Sequence, residues 1–425
     1  MPEPVDLIIT NISRCATLRG AKRPRTGAEL ERLSIVKGAA IAVRHGRIVA
    51  VGKARSVSRK VRPKQIIDAG GRFAAPGFVD PHTHIVFAAS REHEFDMRVR
   101  GKSYVEITRA GGGIHNSVRM LRKATRRALQ SQAMPRLDRM LSHGTTTAEV
   151  KSGYGLTLRD EIKMLEVIRN LGRRHPVDLV PTFLGAHEIP REYRRKKNRY
   201  IELLINEMLP RVASRRLAEF CDIFTEAHVY NIKDSRRILT AARDLGFKLK
   251  LHADEIKAMG GAELAGELGA VSADHLVMVS PRGIRAMAKG GVIPVLLPAT
   301  SFALGAKAYA PARKMIEAGL PVALATDCNP GTSMTENMQF VLSIACTQLR
   351  MTPAEALTAA TINAAYAIGR GDRVGSLDIG KAADIVLYDA PDERYIPYHM
   401  GVNHAACVLK NGKAHGVPYA GHTLL

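Results

Sequence analysis

The stretch DPHTH at positions 80–84 follows the apolar pair Phe78 and Val79. A short apolar run of this kind predicts a β-strand, and side chains on a strand alternate between its two faces. His82 and His84 are two positions apart, so their imidazoles point the same way and can reach one ion. Histidine is the commonest metal ligand in proteins, and its nitrogens suit zinc or iron(II). Taken alone, the pair also fits two ordinary histidines at a strand end, because short motifs often match by chance.

Strand-like apolar runs alternate with amphipathic segments from residue 77 to about residue 375. We predict eight strands, at 78–85, 144–150, 177–185, 220–226, 247–252, 271–276, 292–297 and 321–327. We predict helices at 159–174, 200–218, 233–245, 259–268 and 281–289, with a further basic helix at 117–142. Eight β/α units of this rhythm predict an α/β fold with a (β/α)8 TIM-like barrel. The long loop at 101–117 is expected to be functional, as long loops above barrel strands usually are.

Both ends of the chain read as short strands separated by glycine-bearing turns. Residues 1–76 show this pattern, apart from a basic loop predicted at 19–34, and residues 376–425 show it again. Asn411-Gly412 is a strong hairpin signal in the second section. The simplest arrangement is one small β-sandwich module built from both chain ends, with the barrel domain, residues 77–375, inserted between them.

The charge is unusual for a chain of 425 residues: 63 Lys and Arg oppose 40 Asp and Glu, giving +23 at pH 7. Such a balance also occurs in nucleic-acid-binding proteins. The basic residues are spread along the chain, however, with only modest clusters at 122–127 and 191–199. We interpret them as solvated helix faces and loops and predict no nucleic-acid partner. A positive field of this kind favours a small anionic substrate.

Cysteine usage and the absence of long apolar stretches limit the class of protein further. The five cysteines are scattered, with no CxxC pair, so neither a disulfide framework nor a thiolate zinc site is predicted. No stretch approaches the roughly 18 apolar residues of a membrane span. The opening MPEPVDLIIT lacks the basic start of a signal peptide. We therefore predict a cytoplasmic enzyme without a membrane partner.

Polar, titratable residues gather where the predicted strands end. In a barrel, the C-terminal ends of the strands form the rim that carries catalytic groups. His82 and His84 end the first strand. The later strands run into Glu149–Gly155, Gly185–Glu188, His252–Glu255, Asp274–His275 and Asp327–Thr332. This convergence is stronger support for a catalytic site than any single motif.

Nitrogen and oxygen donors at this rim match a zinc or iron(II) site that leaves a position for water. The predicted ligands are His82, His84, His252 and Asp327. A bound metal lowers the pKa of a water molecule toward neutrality, and Glu255 can then act as its general base. His275 can polarise or protonate the reacting group.

Each of the three acid–base candidates also has an ordinary alternative. Glu255 can be the first-turn acid of a helix, where the helix dipole stabilises it. Asp327 can be a helix N-cap. His275 can be a simple buried or rim histidine.

The order HxH, His, His, Asp over a barrel between two β segments resembles the amidohydrolase superfamily. Further motifs resemble the imidazolonepropionase family within it: DPHTH followed by Arg91, KSGYGL at 151–156, GAHEIP at 185–190, HADE at 252–255, DHL at 274–276 and ATDCNPGT at 325–332. The resemblance covers nearly the whole chain.

This resemblance implies hydrolysis of the ring amide of 4-imidazolone-5-propanoate to N-formimidoyl-L-glutamate, in histidine degradation, by a metal-activated water. It implies one zinc or iron ion, Fe2+ or Fe3+, per chain on His82, His84, His252 and Asp327. Substrate contacts are implied for Arg91, Tyr154, His187, Glu255, Asn329, Gly331 and Thr332. Arg91 offers a planar fork suited to the propionate carboxylate. A homodimer is also implied.

Catalytic roles fall to Glu255, His275 and Asp327. We expect Glu255 and His275 to manage protons and Asp327 to relay one to the leaving nitrogen while it binds metal. The alternative function is that of another mononuclear amidohydrolase, such as a heterocycle deaminase, which would release ammonia.

Binuclear members of the superfamily bridge two metals with a carboxylated lysine, and two lysines come near this rim. We predict Lys151 in the glycine-bearing turn after the second strand and assign it no such role. Strand alternation places the Lys250 side chain inside the barrel, where a charge needs a buried partner. We predict Glu149 or Glu226 as that partner.

Overall fold

The computed structural model describes residues 2–102, 106–107 and 111–416. The strands within these residues form two eight-stranded sheets. The strands are β1 (Glu3–Ala16), β2 (Ile35–Arg44), β3 (Arg47–Lys53), β4 (Val61–Asp68), β5 (Phe73–Pro76), β6 (Phe78–Asp80), β7 (Thr145–Lys151), β8 (Asp178–Ala186), β9 (Phe220–Thr225), β10 (Lys248–Ala253), β11 (Ser272–His275), β12 (Ile293–Leu296), β13 (Ala323–Leu324), β14 (Ile385–Tyr388), β15 (Ala405–Lys410) and β16 (Lys413–Gly416).

Strands β6 to β13 form the barrel, and each pairs in parallel with the next along the chain. The first and last strands are joined just beyond their ends. There Asp327 N donates to His82 O at 3.1 Å and His84 N donates to Cys328 O at 2.9 Å. A barrel strand lies within or across each of the eight predicted stretches, so the barrel prediction is confirmed. β6 and β13 are shorter than predicted, and His82 and His84 lie just after β6 rather than on it. The joining bonds also bring the first histidines against the aspartate of the last strand.

Helices follow most of the barrel strands and cover the outside of the barrel. The α-helices are Ala54–Ser58, Glu92–Val99, Ile114–Lys123, Arg126–Ser142, Leu158–Gly172, Lys197–Leu203, Leu209–Ser214, Ile232–Asp244, Gly261–Leu268, Pro281–Gly290, Pro298–Ala303, Ala312–Glu317, Met338–Gln348, Pro353–Thr358, Ala364–Ala367 and Tyr395–Tyr398. Short 3-10 turns occur at Gly27–Glu31 and Arg191–Tyr193, and π-helical turns at Leu204–Met208 and Ala359–Asn363. Across the described ranges, no helix combines the length and the apolar character that crossing a bilayer requires.

The predicted basic helix at 117–142 is two helices rather than one. The backbone of Thr125 is extended, and its side chain accepts a hydrogen bond from Ala128 N at 3.1 Å. The first helix ends at Lys123, Ala124 is already extended, and Thr125 caps the second helix. The predicted basic loop at 19–34 contains the short 3-10 turn. The predicted functional loop at 101–117 lies partly outside the described residues, at 103–105 and 108–110.

Both ends of the chain build the second sheet, as predicted. β5 pairs antiparallel with β14, which joins the N-terminal strands to the C-terminal ones. Apolar side chains of both halves, such as Ile41 and Leu409, pack into one core. The domain boundaries at 76/77 and 375/376 stay a prediction.

Gly77 fixes the junction between this module and the barrel. A Cβ atom at this position would lie 2.4 Å from Thr146 Oγ1 on β7. Gly77 N also donates to Asp384 O at 3.0 Å, just before β14. Only glycine allows this approach, and it delivers the chain directly into β6 and the two histidines that follow.

Candidate metal centre and active site

Four buried side chains converge at the C-terminal rim of the barrel. His82 Nε2 and His84 Nε2 are 3.2 Å apart, and each lies 3.5 Å from Asp327 Oδ1. The ring centroid of His252 is 4.5 Å from that of His82. Two sets of donor atoms, His82–His84–His252 and His82–His275–Asp327, each lie within 4.8 Å of one another. The structure thus brings the four predicted ligands together and places His275 beside them.

The protonation of His82 and His84 suits a metal. Burial lowers the pKa of His82 and of His84 well below the ordinary value, so both imidazoles are neutral. His82 Nδ1 lies 2.6 Å from Asp274 Oδ2, and His252 Nδ1 lies 3.0 Å from Asp222 Oδ2. A carboxylate beside Nδ1 holds the proton there and leaves the Nε2 lone pair for a metal. The residues therefore form a group able to hold a metal ion.

Sequence reasoning missed two of the groups that orient the ligands. Asp222 lies within β9, and the only signal was a charge inside an otherwise apolar run. Thr300 follows β12, and its Oγ1 donates to Asp327 Oδ2 at 2.6 Å. This bond leaves the other oxygen, Oδ1, facing His82 and His84.

Asp327 is held in an unusual backbone conformation. Its φ angle is +53°, a region that residues other than glycine rarely adopt. The described residues begin no helix here, so the N-cap alternative is not found; the next helix is Met338–Gln348. Burial raises the pKa of the Asp327 carboxyl to about 6, against the lowering effect of the Thr300 hydrogen bond. Strained residues of this kind gather at functional sites.

Glu255 and His275 face each other across the rim, with 3.5 Å between Glu255 Oε1 and His275 Nδ1. Glu255 lies in the loop after β10, well before the helix at Gly261–Leu268, so it is not a first-turn acid. Asp254 holds that loop by accepting hydrogen bonds from four backbone N–H groups, at 259–262. Burial raises the pKa of Glu255 to about 7, and the charge of Asp327 adds to the effect.

The sequence analysis placed Lys151 in the turn after the second strand, and this prediction is wrong. Lys151 is the last residue of β7. Strand pairing with β8 continues to this position, so the side chain points into the barrel, fully buried. Burial alone would lower the pKa of Lys151, but the carboxylates of Asp222, Glu149 and Asp274 outweigh it and raise the pKa. The surrounding carboxylates therefore favour the ammonium form of Lys151.

Lys250 lies fully buried inside the barrel, as predicted. Its Nζ is 3.8 Å from Glu149 Oε1 and donates to Pro81 O at 3.0 Å. Glu149 is thus confirmed as its acidic partner. Glu226 is not a partner, because its carboxylate instead accepts the backbone N–H of Ile256, at 3.0 Å, in the loop after β10.

All residues predicted to contact a substrate line one cavity of about 140 Å³ beside the metal ligands. They are Arg91, Tyr154, His187, Glu255, Asn329, Gly331 and Thr332. The sequence analysis assigned no role to four others that line it, Ile114, Glu188, Phe224 and His228.

Arg91 is oriented toward this cavity from the segment that follows β6. Its Nη2 donates to Glu94 Oε2 at 2.7 Å, which fixes the guanidinium. Its buried Nε has no partner among the described residues. A Cβ atom at position 331 would press against Arg91 Nη1, so glycine there leaves room for the guanidinium in this position. Arg91 thus retains free donors for an anionic ligand.

Asn329 stabilises the turn after the last barrel strand. Its Oδ1 accepts from Gly331 N and Thr332 N, both at 2.8 Å, and its Nδ2 donates to Asp327 O at 2.7 Å. The Asn329 side chain therefore holds the turn that carries the aspartate ligand. Its predicted contact with substrate stays a prediction.

The loop that carries Tyr154 is held by one buried carboxylate. Glu161 accepts hydrogen bonds from Gly153 N, Gly155 N and Leu156 N at 3.0, 2.8 and 2.8 Å. His187 Nδ1 bonds to Gly153 O at 3.1 Å. That nitrogen is therefore the protonated one, and Nε2 is available as an acceptor in the cavity.

Glu161→Gln should loosen this loop, because an amide NH2 would then face backbone N–H groups. We expect the free energy of unfolding to fall by about 1–3 kcal/mol and KM to rise, with metal content unchanged. Thermal unfolding, steady-state kinetics and metal analysis measure the three effects. Glu166→Gln, on the same helix, is the matched control: Glu166 is partly buried and pairs with Arg126 and Arg215, away from this loop, so KM should not change. Equal effects of the two changes would contradict this role.

Comparison with known proteins agrees with this geometry. The amidohydrolase family model matches residues 73–417. The imidazolonepropionase of Alkaliphilus oremlandii is 51% identical over 411 residues, which cover 96% of this chain and 97% of that protein. The chain belongs to the imidazolonepropionase family of amidohydrolases. A second relative in this family, from Geobacillus kaustophilus, is 50% identical over 412 residues, covering 96% of this chain and 97% of that protein.

Solved structures with low sequence identity share the fold. A zinc-bound adenosine deaminase from Xanthomonas campestris has a TM-score of 0.70 at 19% identity, covering 97% of this chain and 93% of that one. A triazine hydrolase variant has a TM-score of 0.67 at 19% identity, with coverages of 96% and 94%. At this identity they show only the fold that the imidazolonepropionase family uses here.

Proposed function

We propose that this chain hydrolyses the ring amide of 4-imidazolone-5-propanoate to N-formimidoyl-L-glutamate. The observation that carries the proposal is one small cavity that combines a buried His/Asp donor group with an arginine, Arg91, that has free donors. Such a pair suits a small ligand with a carboxylate at one end and a hydrolysable carbonyl at the other. Identity of about half over nearly the full length of the relatives supports the same substrate.

We propose His82, His84, His252 and Asp327 as ligands of one zinc or iron ion. When bound, such an ion supplies an activated water and polarises a carbonyl oxygen. Nitrogen and oxygen donors of this kind accept either metal. Metal analysis of the purified protein decides between them.

The side chains of the cavity then have distinct tasks. Arg91 binds the propionate carboxylate, and His187 Nε2 accepts a ring N–H. Glu255 takes a proton from the attacking water, a role that suits a pKa near the working pH. His275 stabilises the developing charge on the carbonyl oxygen. The proton that Glu255 takes up is then passed through Asp327 to the leaving ring nitrogen as the C–N bond breaks, so that one water is added overall and both carboxylates return to their starting state.

An ultraviolet assay with freshly generated imidazolonepropionate tests the reaction and its metal dependence together. We expect loss of the substrate's absorbance and appearance of formimidoylglutamate, both abolished by a chelator and restored by metal. No turnover by metal-loaded protein would overturn the proposal. Ammonia release from a purine, pyrimidine or triazine would instead support the heterocycle deaminase alternative.

Arg91→Met should weaken substrate binding because it removes the donors for the propionate. We expect KM to rise by about 10- to 100-fold, since a charged hydrogen bond contributes about 1.5–3 kcal/mol. Steady-state kinetics measure the change. Arg100→Met is the control, because Arg100 is exposed at the end of the helix that Arg91 precedes, and Asp96 is its ion-pair partner among the described residues. An unchanged KM in the Arg91 variant would contradict the assignment.

A homodimer, a cytoplasmic location and the lack of a nucleic-acid partner stay predictions. Size-exclusion chromatography with light scattering tests the dimer. Salt-dependent retention of DNA or RNA by the protein would contradict the interpretation of its basic surface.

A further inference from the structure

Lys151 lies at the centre of a buried cluster of carboxylates beneath the donor group. Its Nζ is 2.7 Å from Asp222 Oδ2, 2.8 Å from Glu149 Oε1 and 3.6 Å from Asp274 Oδ2. All four side chains are fully buried. The ammonium ion therefore neutralises acidic groups that come from three different strands, β7, β9 and β11.

Two of these carboxylates also contact the proposed metal ligands, and they do so through the same oxygen atoms. Asp222 Oδ2 is 3.0 Å from His252 Nδ1, and Asp274 Oδ2 is 2.6 Å from His82 Nδ1. Each oxygen thus lies between the lysine and a histidine. The position of Lys151 is coupled in this way to the orientation of two imidazoles.

Charge balance explains why a cation is needed here. Isolated carboxylates in a buried cluster repel one another and are costly to desolvate, so they require a paired cation. Among the cations of the described residues, Lys151 makes the short contacts that compensate these charges, at 2.7 Å to Asp222 and 2.8 Å to Glu149. Among the described residues, Lys250 is the other buried ammonium ion of the cluster. Its Nζ lies 3.8 Å from Glu149 Oε1 and from Asp274 Oδ2, and it makes no contact with Asp222 among the described residues.

We propose that Lys151 is a positioning residue that holds Asp222 and Asp274 against His252 and His82 and thereby sets the metal affinity of the site. The proposal rests on the metal site of the proposed function. Groups that orient metal-ligating histidines commonly change metal affinity by about 10- to 100-fold when removed. Lys151 contacts the two carboxylates that orient the histidines rather than the histidines themselves. Its removal should therefore affect two ligands at once.

Zinc affinity of the full chain, measured by competition with a chelator and without substrate, tests this role. We expect Lys151→Met to weaken zinc binding by about 10- to 100-fold and to change the absorption spectrum of the cobalt(II)-loaded protein. Lys250→Met is the matched control. It removes a buried lysine that lies 3.8 Å from Glu149 and from Asp274 but makes no contact with Asp222 among the described residues, so we expect its loss of zinc affinity to be at least about threefold smaller than that of Lys151→Met.

A merely structural role would lower the stability of both lysine variants and weaken zinc binding equally, and that result would overturn the proposal. Asp222→Asn keeps the shape of the carboxylate and provides a second test if Lys151→Met does not fold. We expect it to weaken zinc binding while its thermal unfolding stays close to that of the unaltered chain. Unaltered affinity in Asp222→Asn would also overturn the proposal.

A double variant separates a direct from an indirect effect. If Lys151 acts through Asp222, Lys151→Met should weaken zinc binding less in the Asp222→Asn background than alone. Full additivity would overturn the coupling. Failure of the unaltered chain to bind zinc or iron would overturn the metal site and this inference together, whereas zinc binding with unresponsive variants would overturn this inference alone.

Discussion

Glu255→Gln is expected to lower kcat by about 10²- to 10⁴-fold, the usual contribution of a general base. The metal content should not change, because Glu255 contacts His275 and is not one of the proposed ligands. Glutamine keeps the shape of the side chain but cannot accept the proton of the attacking water. Steady-state kinetics with metal analysis of the same preparation measures both quantities.

Glu188→Gln is the matched control for that experiment. Glu188 lines the same cavity, its pKa is also raised by burial, and its carboxylate accepts only the N–H of Ile189 in the described contacts. We expect a loss of less than about tenfold in kcat, since no proton transfer is assigned to it. A Glu255 variant that loses metal but keeps its rate per bound ion would contradict the role of Glu255 as base.

His84→Asn should remove both metal and turnover. Loss of a partner that only orients a ligand costs about 10- to 100-fold in metal affinity, so loss of a ligand should cost more than about 100-fold. We expect substoichiometric metal after dialysis and a matching fall in kcat/KM. Metal analysis and the ultraviolet assay measure the two effects.

His187→Asn controls for the removal of a neighbouring imidazole. The ring of His187 stacks on that of His84 with centroids 5.2 Å apart, but its Nδ1 bonds to a backbone carbonyl. This variant should keep its metal and lose substrate affinity. Full metal occupancy in the His84 variant would remove His84 from the ligand set.

Much of the barrel and of the ligand group follows from local sequence patterns. Each barrel strand has a contiguous apolar run, and the rim residues follow those runs directly, so placing the strands places the histidines. The period of two along a strand likewise placed Lys250 inside the barrel. These features depend on residues close together in the chain.

The remaining features depend on partners that are distant in the sequence. Asp222 orients His252 from another strand, and Thr300 orients Asp327 from a helix, so neither has a local motif. Lys151 was misplaced because the glycine-rich sequence after it resembles a turn, whereas pairing with β8 extends the strand. The polar and apolar residues around Thr125 follow one continuous helical pattern, so the sequence gives no sign of a break. The break is shown only by the extended backbone at this position.

The pairing of β5 with β14 bears on how the protein is made. During translation, β5 leaves the ribosome long before β14 has been synthesised. In that interval β5 has β1 on one edge and an open edge on the other, and Gly77 lacks its hydrogen bond to Asp384. The C-terminal strands therefore complete the sheet only when the chain is nearly fully synthesised. We expect nascent chains that stall before residue 385 to hold the first two histidines loosely and to acquire their metal poorly.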